Sequence, residues 1–194
     1  MYDDAARNRL DYDSIVSDLG IPHRVKAALR VLMSAGAAAT PAVRRGLEHP
    51  DARVRTECCN VLDHYLDEAA VGDLMARLTD ADANVRARAL HALACERCKE
   101  GTCRPAEADI IPIAIRMLQT DTDRYVRKAA VEMLGPASPR NSQVRDALST
   151  ARDQDPDPLV RKVAGWHSPG GPIYEGSPSK SGRRRRVKTR PSAK

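Results

Sequence analysis

The chain has no Phe, one Trp and five Tyr, so aromatics make up only 3% of its 194 residues. A single thick globular core usually relies on aromatic bulk, which this sequence does not have. Thin helix layers of Ala, Leu and Val can manage without it. No stretch approaches the roughly 20 apolar residues of a membrane-crossing helix, so no membrane span is expected. Neither a nucleophile elbow nor a phosphate-binding Gly-rich loop is present. The polar, acidic start from Met1 to Asp18 does not read as an export signal. That sets the expectation of a cytoplasmic protein whose five Cys are reduced thiols.

What the sequence does contain is a unit that returns five times. An acidic or polar turn leads into Val-Arg or Val-Lys and then an Ala-rich amphipathic stretch. The unit recurs at Val25-Lys26, Val54-Arg55, Val85-Arg86, Val126-Arg127 and Val160-Arg161, with Val-to-Val steps of 29, 31, 41 and 34 residues. A period of that size predicts stacked helical repeats. Each unit parses as two helices. The second opens with helix-start chemistry at Pro50-Asp51, Asp82, Thr122-Asp123 and Asp157-Pro158. An Asp or Thr oxygen accepts the orphan N–H groups of a first turn, and Pro tolerates the first helical position. Apolar residues follow at helical spacing, as in Val85, Ala89, Ala92 and Leu93. The first helices are predicted over about 12–19, 41–47, 68–78, 106–118 and 141–151.

This pattern resembles the HEAT-repeat family over about residues 12–166, in particular the short bacterial kind of phycobilisome lyase-like proteins. The whole chain is similar to small actinobacterial HEAT-repeat proteins. The resemblance implies an all-α solenoid of about five helical hairpins and allows scaffolds, chromophore-lyase subunits, hydroxylases and DNA glycosylases. Iron-binding hydroxylases of the family carry His-Glu pairs, whereas this chain has only the reversed Glu48-His49. The family's glycosylases use an aromatic-lined cleft, which one Trp and no Phe can hardly build. The expectation is therefore a non-catalytic protein-interaction scaffold binding a protein partner along the repeat surface. A nucleic-acid-associated protein is the alternative, and a HEAT-type lyase or metal-dependent enzyme comes third.

The long 41-residue step holds a Cys-rich insert at 95–105, giving His91-x3-Cys95-x2-Cys98-x4-Cys103. His91 and Cys95 are four apart and share a helix face. The Cys-x2-Cys spacing lets both thiolates reach one ion, and Gly101 can turn Cys103 back to it. Three sulfurs at about 2.3 Å and one imidazole nitrogen at about 2.0 Å would complete a tetrahedral structural Zn²⁺ site. Superposing the repeats sets His64 opposite Cys95, which makes His64 an alternative ligand. The other reading is a thiol-bearing loop without metal. Cys58 and Cys59 fall at inward positions and read as small buried hydrophobes.

Past Trp166 the periodicity stops at a Ser-Pro-Gly-Gly-Pro breaker. Residues 177–194 carry eight Lys and Arg and no acid; taking eight from the net +6 leaves −2 for residues 1–176. Arg183, Arg184, Arg185, Arg186, Lys188 and Arg190 form a polyanion-binding candidate for nucleic acid or ribosome, with salt-dependent and sequence-blind affinity. Such a composition predicts disorder. The division is a polar N-terminal extension at 1–11, a solenoid at 12–167 and a disordered basic tail at 168–194. Within the solenoid, Arg55, Arg86, Arg127 and Arg161, with Lys26, share one slot. They are expected to form a ladder with turn acids such as Asp51, Asp82 and Asp123. Trp166 is expected to cap the open end of the stack.

Overall fold

The computed structural model describes residues 10–94 and 105–176. Ten α-helices, three short 3₁₀ turns and no strand occur among the described residues, the α-helices arranged as five antiparallel pairs. The pairs are α1 (Tyr12–Ser17) with α2 (Val25–Ala35), α3 (Thr40–Gly46) with α4 (Ala52–His64), α5 (Glu68–Arg77) with α6 (Ala83–Ala94), α7 (Glu107–Thr120) with α8 (Arg124–Leu134), and α9 (Ser142–Gln154) with α10 (Pro158–His167). The observed first helices follow the predicted spans to within three residues. The all-α solenoid of five hairpins is thus the architecture observed.

The second helices start where their cap chemistry puts them. Asp51 accepts the Arg53 N–H, Asp82 the Asn84 and Val85 N–H groups, Asp123 those of Tyr125 and Val126, and Asp157 that of Leu159. Each carboxylate satisfies first-turn donors that have no partner inside the helix. First helices use the same device at Asp11, Asp67 and Asn141.

Successive second helices α4, α6, α8 and α10 lie side by side, and each also packs on its own first helix. The interior between the two layers is continuous from Val16 to Ala164 and made mostly of Leu, Val, Ile and Ala. Close approach is enforced by small residues. At Gly46 an added Cβ would meet Cys58 Sγ and Val16 Cγ1, so α3 sits directly on α4 and α1 there. Cys58 and Cys59 are fully buried in this layer, as expected. Burial raises both thiols, Cys59 to about 12, which keeps them protonated and unreactive at neutral pH.

The chain does not stop its packing at Trp166. Residues 168–176, which the sequence groups with the tail, fold back over the carboxyl end of α10. Ser168 Oγ donates to the Ala164 carbonyl, and the N–H groups of Ile173 and Tyr174 both donate to the Trp166 carbonyl. Gly171 is buried in this turn, where a Cβ would strike the Gly165 and Trp166 carbonyls. The end is therefore closed by backbone and by Ser168, Gly171 and their neighbours. Trp166 itself stays 39% exposed, which corrects its expected capping role. The expected disorder of residues 177–194 lies outside the described residues.

Candidate functional site

The loops between first and second helices carry a polar device that repeats along the stack. In Asp80-Ala81-Asp82 the second Asp caps α6, while the first accepts the Asp82 N–H and the fork of Arg55 from the preceding repeat. Arg55 Nε and Nη2 reach the two Asp80 oxygens at 2.9 and 2.8 Å. Arg86 grips Asp121 in the same way at 2.8 and 2.8 Å, and Arg127 grips Asp155 at 2.8 and 3.0 Å. The third nitrogen, Nη1, donates in every case to two carbonyls of its own turn, such as those of Asp121 and Thr122 for Arg127. The Arg ladder is present, but its acids are Asp80, Asp121 and Asp155. Asp51, Asp82 and Asp123 were the expected partners and are helix caps instead. One Asp-x-Asp turn contains both kinds, and only the register of the loop separates them.

Electrostatics follow from that geometry. Burial opposes ionisation of Asp80 and Asp121, but the arginine fork and the N–H two residues on outweigh it. Both carboxyls are held below the usual range. In the turn before α4, His49 replaces the first Asp and its Nδ1 accepts the Asp51 N–H at 3.0 Å. Lys26 stands at the arginine slot of the first repeat.

The solvent faces of the helices differ sharply in charge. The second helices hold eleven Lys and Arg against three acids, whereas the first helices hold six against seven. The ladder neutralises three of the eleven, leaving the outer face of the second-helix layer positive. Two large aromatics are exposed on that layer, Tyr125 at 54% and Trp166 at 39%. Each lies beneath a cation: the Arg124 guanidinium is 4.7 Å from the Tyr125 centroid, and Lys162 Nζ is 5.6 Å from that of Trp166. Such contacts hold a cation at the surface with little desolvation. Arg124 also reaches Asp157, and Lys128 reaches Glu132. The sequence reading missed this face; spreading the helices on a 100° wheel places Arg53, Lys128, Lys162 and Trp166 on one side.

Two of the five metal candidates, His91 and His64, are among the described residues. Cys95, Cys98 and Cys103 lie outside the described residues. His91 is on α6, one-third exposed, with Nε2 3.3 Å from Asp63 Oδ2 on the neighbouring α4. His64 is exposed at the end of α4, its ring tilted against Tyr65. Among the described residues no three His, Cys, Asp or Glu side chains converge to hold a metal. The polyanion candidates Arg183, Arg184, Arg185, Arg186, Lys188 and Arg190 also lie outside the described residues. No described helix is long and apolar enough to cross a membrane.

Comparison with known proteins addresses the same residues. Residues 22–94 and 73–166 match the family model described as HEAT repeats. A chain in the complex of CpcE and CpcF of phycocyanin lyase from Nostoc sp. is similar in structure. Its TM-score is 0.65 at 18% identity, covering 79% of this chain and 95% of that one. A designed armadillo repeat protein in complex with the peptide (KR)4 is similar with a TM-score of 0.54 at 19% identity, covering 81% and 80%. At these identities the likeness concerns the fold. No curated protein sequence matches the chain.

Proposed function

Because the chain belongs to the HEAT-repeat family, we propose that it is a non-catalytic scaffold that presents the outer face of its second helices to a protein partner. The observation that carries this reading is the segregation of charge and aromatics onto that face: eleven cations against three acids, with Tyr125 and Trp166 exposed among them. Exposed aromatics beside Arg and Lys are the composition of interface hot spots. The fold relatives support it as well, one being a chain of a two-protein complex and the other a peptide complex. The lyase activity named for the first belongs to that complex and is not carried over.

The test is affinity capture with the full chain, a Tyr125→Ala/Trp166→Ala variant and a chain ending at residue 176. The double substitution removes no buried side chain, so helicity and melting should stay unchanged while the recovered partner falls at least tenfold, the loss of about two moderate hot spots. Equal recovery would move the site elsewhere. Deleting residues 177–194 separates the alternative reading. Nucleic acid that is lost while the protein partner remains assigns phosphate contacts to Arg183–Arg186, Lys188 and Arg190. Their contribution should weaken steeply with salt.

The Cys insert is proposed as a structural zinc site completed by His91. One of its four ligands, His91, is among the described residues, and its neighbour on α4 supports this reading. Asp63 beside Nε2 would orient the imidazole and leave Nδ1 as the ligand nitrogen, the carboxylate–histidine arrangement common behind zinc ligands. The bound ion would supply folding energy and no reaction. Untagged, reduced protein should contain one zinc per chain by elemental analysis, and Cys98→Ser should lose it and melt earlier. Unchanged zinc in that variant would remove Cys98 from the site and with it this assignment.

A further inference from the structure

The ladder runs one rung further than its acids. Arg161 occupies the slot of Arg55, Arg86 and Arg127, and its Nη1 keeps the two inner bonds of that slot, to the Asp155 carbonyl at 2.7 Å and the Pro156 carbonyl at 3.0 Å. In the three inner rungs the opposite edge of the guanidinium, Nε and Nη2, holds an aspartate of the next repeat. No repeat follows α10 among the described residues. Residues 168–176 close the carboxyl end of the helix instead, around the Trp166 carbonyl, while Arg161 stands in its first turn. Among the described residues no carboxylate meets the Nε–Nη2 edge.

We propose that Arg161 is a docking point for an aspartate-bearing turn of a partner protein, of the same Asp-x-Asp form that fills the inner rungs. The chemistry is already set by three copies in this molecule. Two carbonyls fix the plane of the guanidinium before any ligand arrives, so little rotamer freedom remains to be lost. The free edge presents two parallel N–H donors, the pattern that takes both oxygens of one carboxylate. The inner aspartates also accept the N–H of the residue two on, as Asp121 does from Asp123, so the favoured ligand is a turn and not an isolated acid. Lys162, the next residue, is exposed over the Trp166 ring and adds a second positive charge to the last helix. A phosphate would match the charge, but every filled copy of the slot holds a carboxylate. This inference rests on the scaffold reading and names the partner's chemistry at one end of it.

The experiment is an NMR titration of the full chain labelled with ¹⁵N-arginine, with the Arg161 Nε–H signal assigned by its loss in Arg161→Lys. The probe is an amide-capped peptide of residues 118–126, which contains the Asp121-Thr122-Asp123 turn. The Arg161 signal should move saturably, and a peptide carrying Asp121→Asn should bind roughly tenfold or more weakly, as expected for loss of a charged hydrogen-bond partner. No movement up to millimolar peptide, or an equal response to the Asn peptide, overturns the proposal. Tighter binding of inorganic phosphate than of the peptide also overturns it and reassigns the slot. The scaffold reading is judged apart by affinity capture: a partner retained by Arg161→Glu but lost with Tyr125→Ala/Trp166→Ala leaves that reading standing and removes only this docking point.

Discussion

Replacing Arg127 with Met should destabilise the solenoid by about 3 kcal/mol, because it leaves one member of a buried ion pair behind. Arg127 is 8% exposed and Asp155 8%, the most enclosed of the three rungs. Without the fork, Asp155 keeps only the Asp157 N–H, and the carbonyls of Asp121 and Thr122 lose their donor. Adding Asp155→Ala to Arg127→Met should recover part of the loss, since the stranded charge is then gone. Arg124→Met, at an exposed pair with Asp157, should cost under about 1 kcal/mol. Urea unfolding of the four chains measures all of this, and equal midpoints for Arg127→Met and Arg124→Met would show the inner rung to be dispensable. The ladder also sets an acid limit. Asp80 and Asp121 titrate lower in the folded than in the unfolded chain. Their contribution is therefore complete above the unfolded value, about 4, and is lost as pH falls through the lower folded values.

Gly171→Ala should release the turn that closes the carboxyl end of α10. A Cβ at this position would overlap the Gly165 and Trp166 carbonyls, which are helix backbone and cannot rotate away as a side chain can. The turn must then lift, and the Ile173 and Tyr174 N–H groups lose their bonds to the Trp166 carbonyl. Hydrogen exchange reads the event locally. Those two amides should exchange like free chain while amides of α9 keep their protection. Gly170→Ala is the less telling comparison, because Gly170 has a φ of 82° and would be strained for a different reason. Unchanged protection of Ile173 and Tyr174 in Gly171→Ala would show that the turn accommodates the methyl group.

Most of the fold was legible because the signals lie close together in the chain. The caps Asp51, Asp82, Asp123 and Asp157 sit two or three residues from the N–H groups they satisfy, and the apolar stripe of each helix is complete within one unit. The ladder was only half legible. A recurring Arg at one slot announces a contact with a neighbouring repeat, but Asp80 and Asp82 are equally placed by spacing, and three-dimensional register alone assigns one to the fork and the other to the cap. The turn at 168–176 was missed for a different reason. Its Pro and Gly residues signal the end of a helix, and nothing local reveals that Gly171 will be pressed against a helix end. The face bearing Tyr125 and Trp166 lay beyond a residue-by-residue reading, since the two residues sit on different helices and share a side only once α8 is laid against α10.

The placement of the ladder residues makes the joints of this protein portable. The units built on α6, α8 and α10 each carry an acid for the arginine behind them and an arginine for the acid ahead. A duplicated segment of that kind would arrive in the gene with both fittings in place and would seal its own seams. The first two units differ: Gly20 and Lys26 stand in these positions in one, and His49 takes the acid's place in the other. Lineages of such chains should accordingly gain or lose length in the latter part of the array, with the opening pair retained as a fixed foundation.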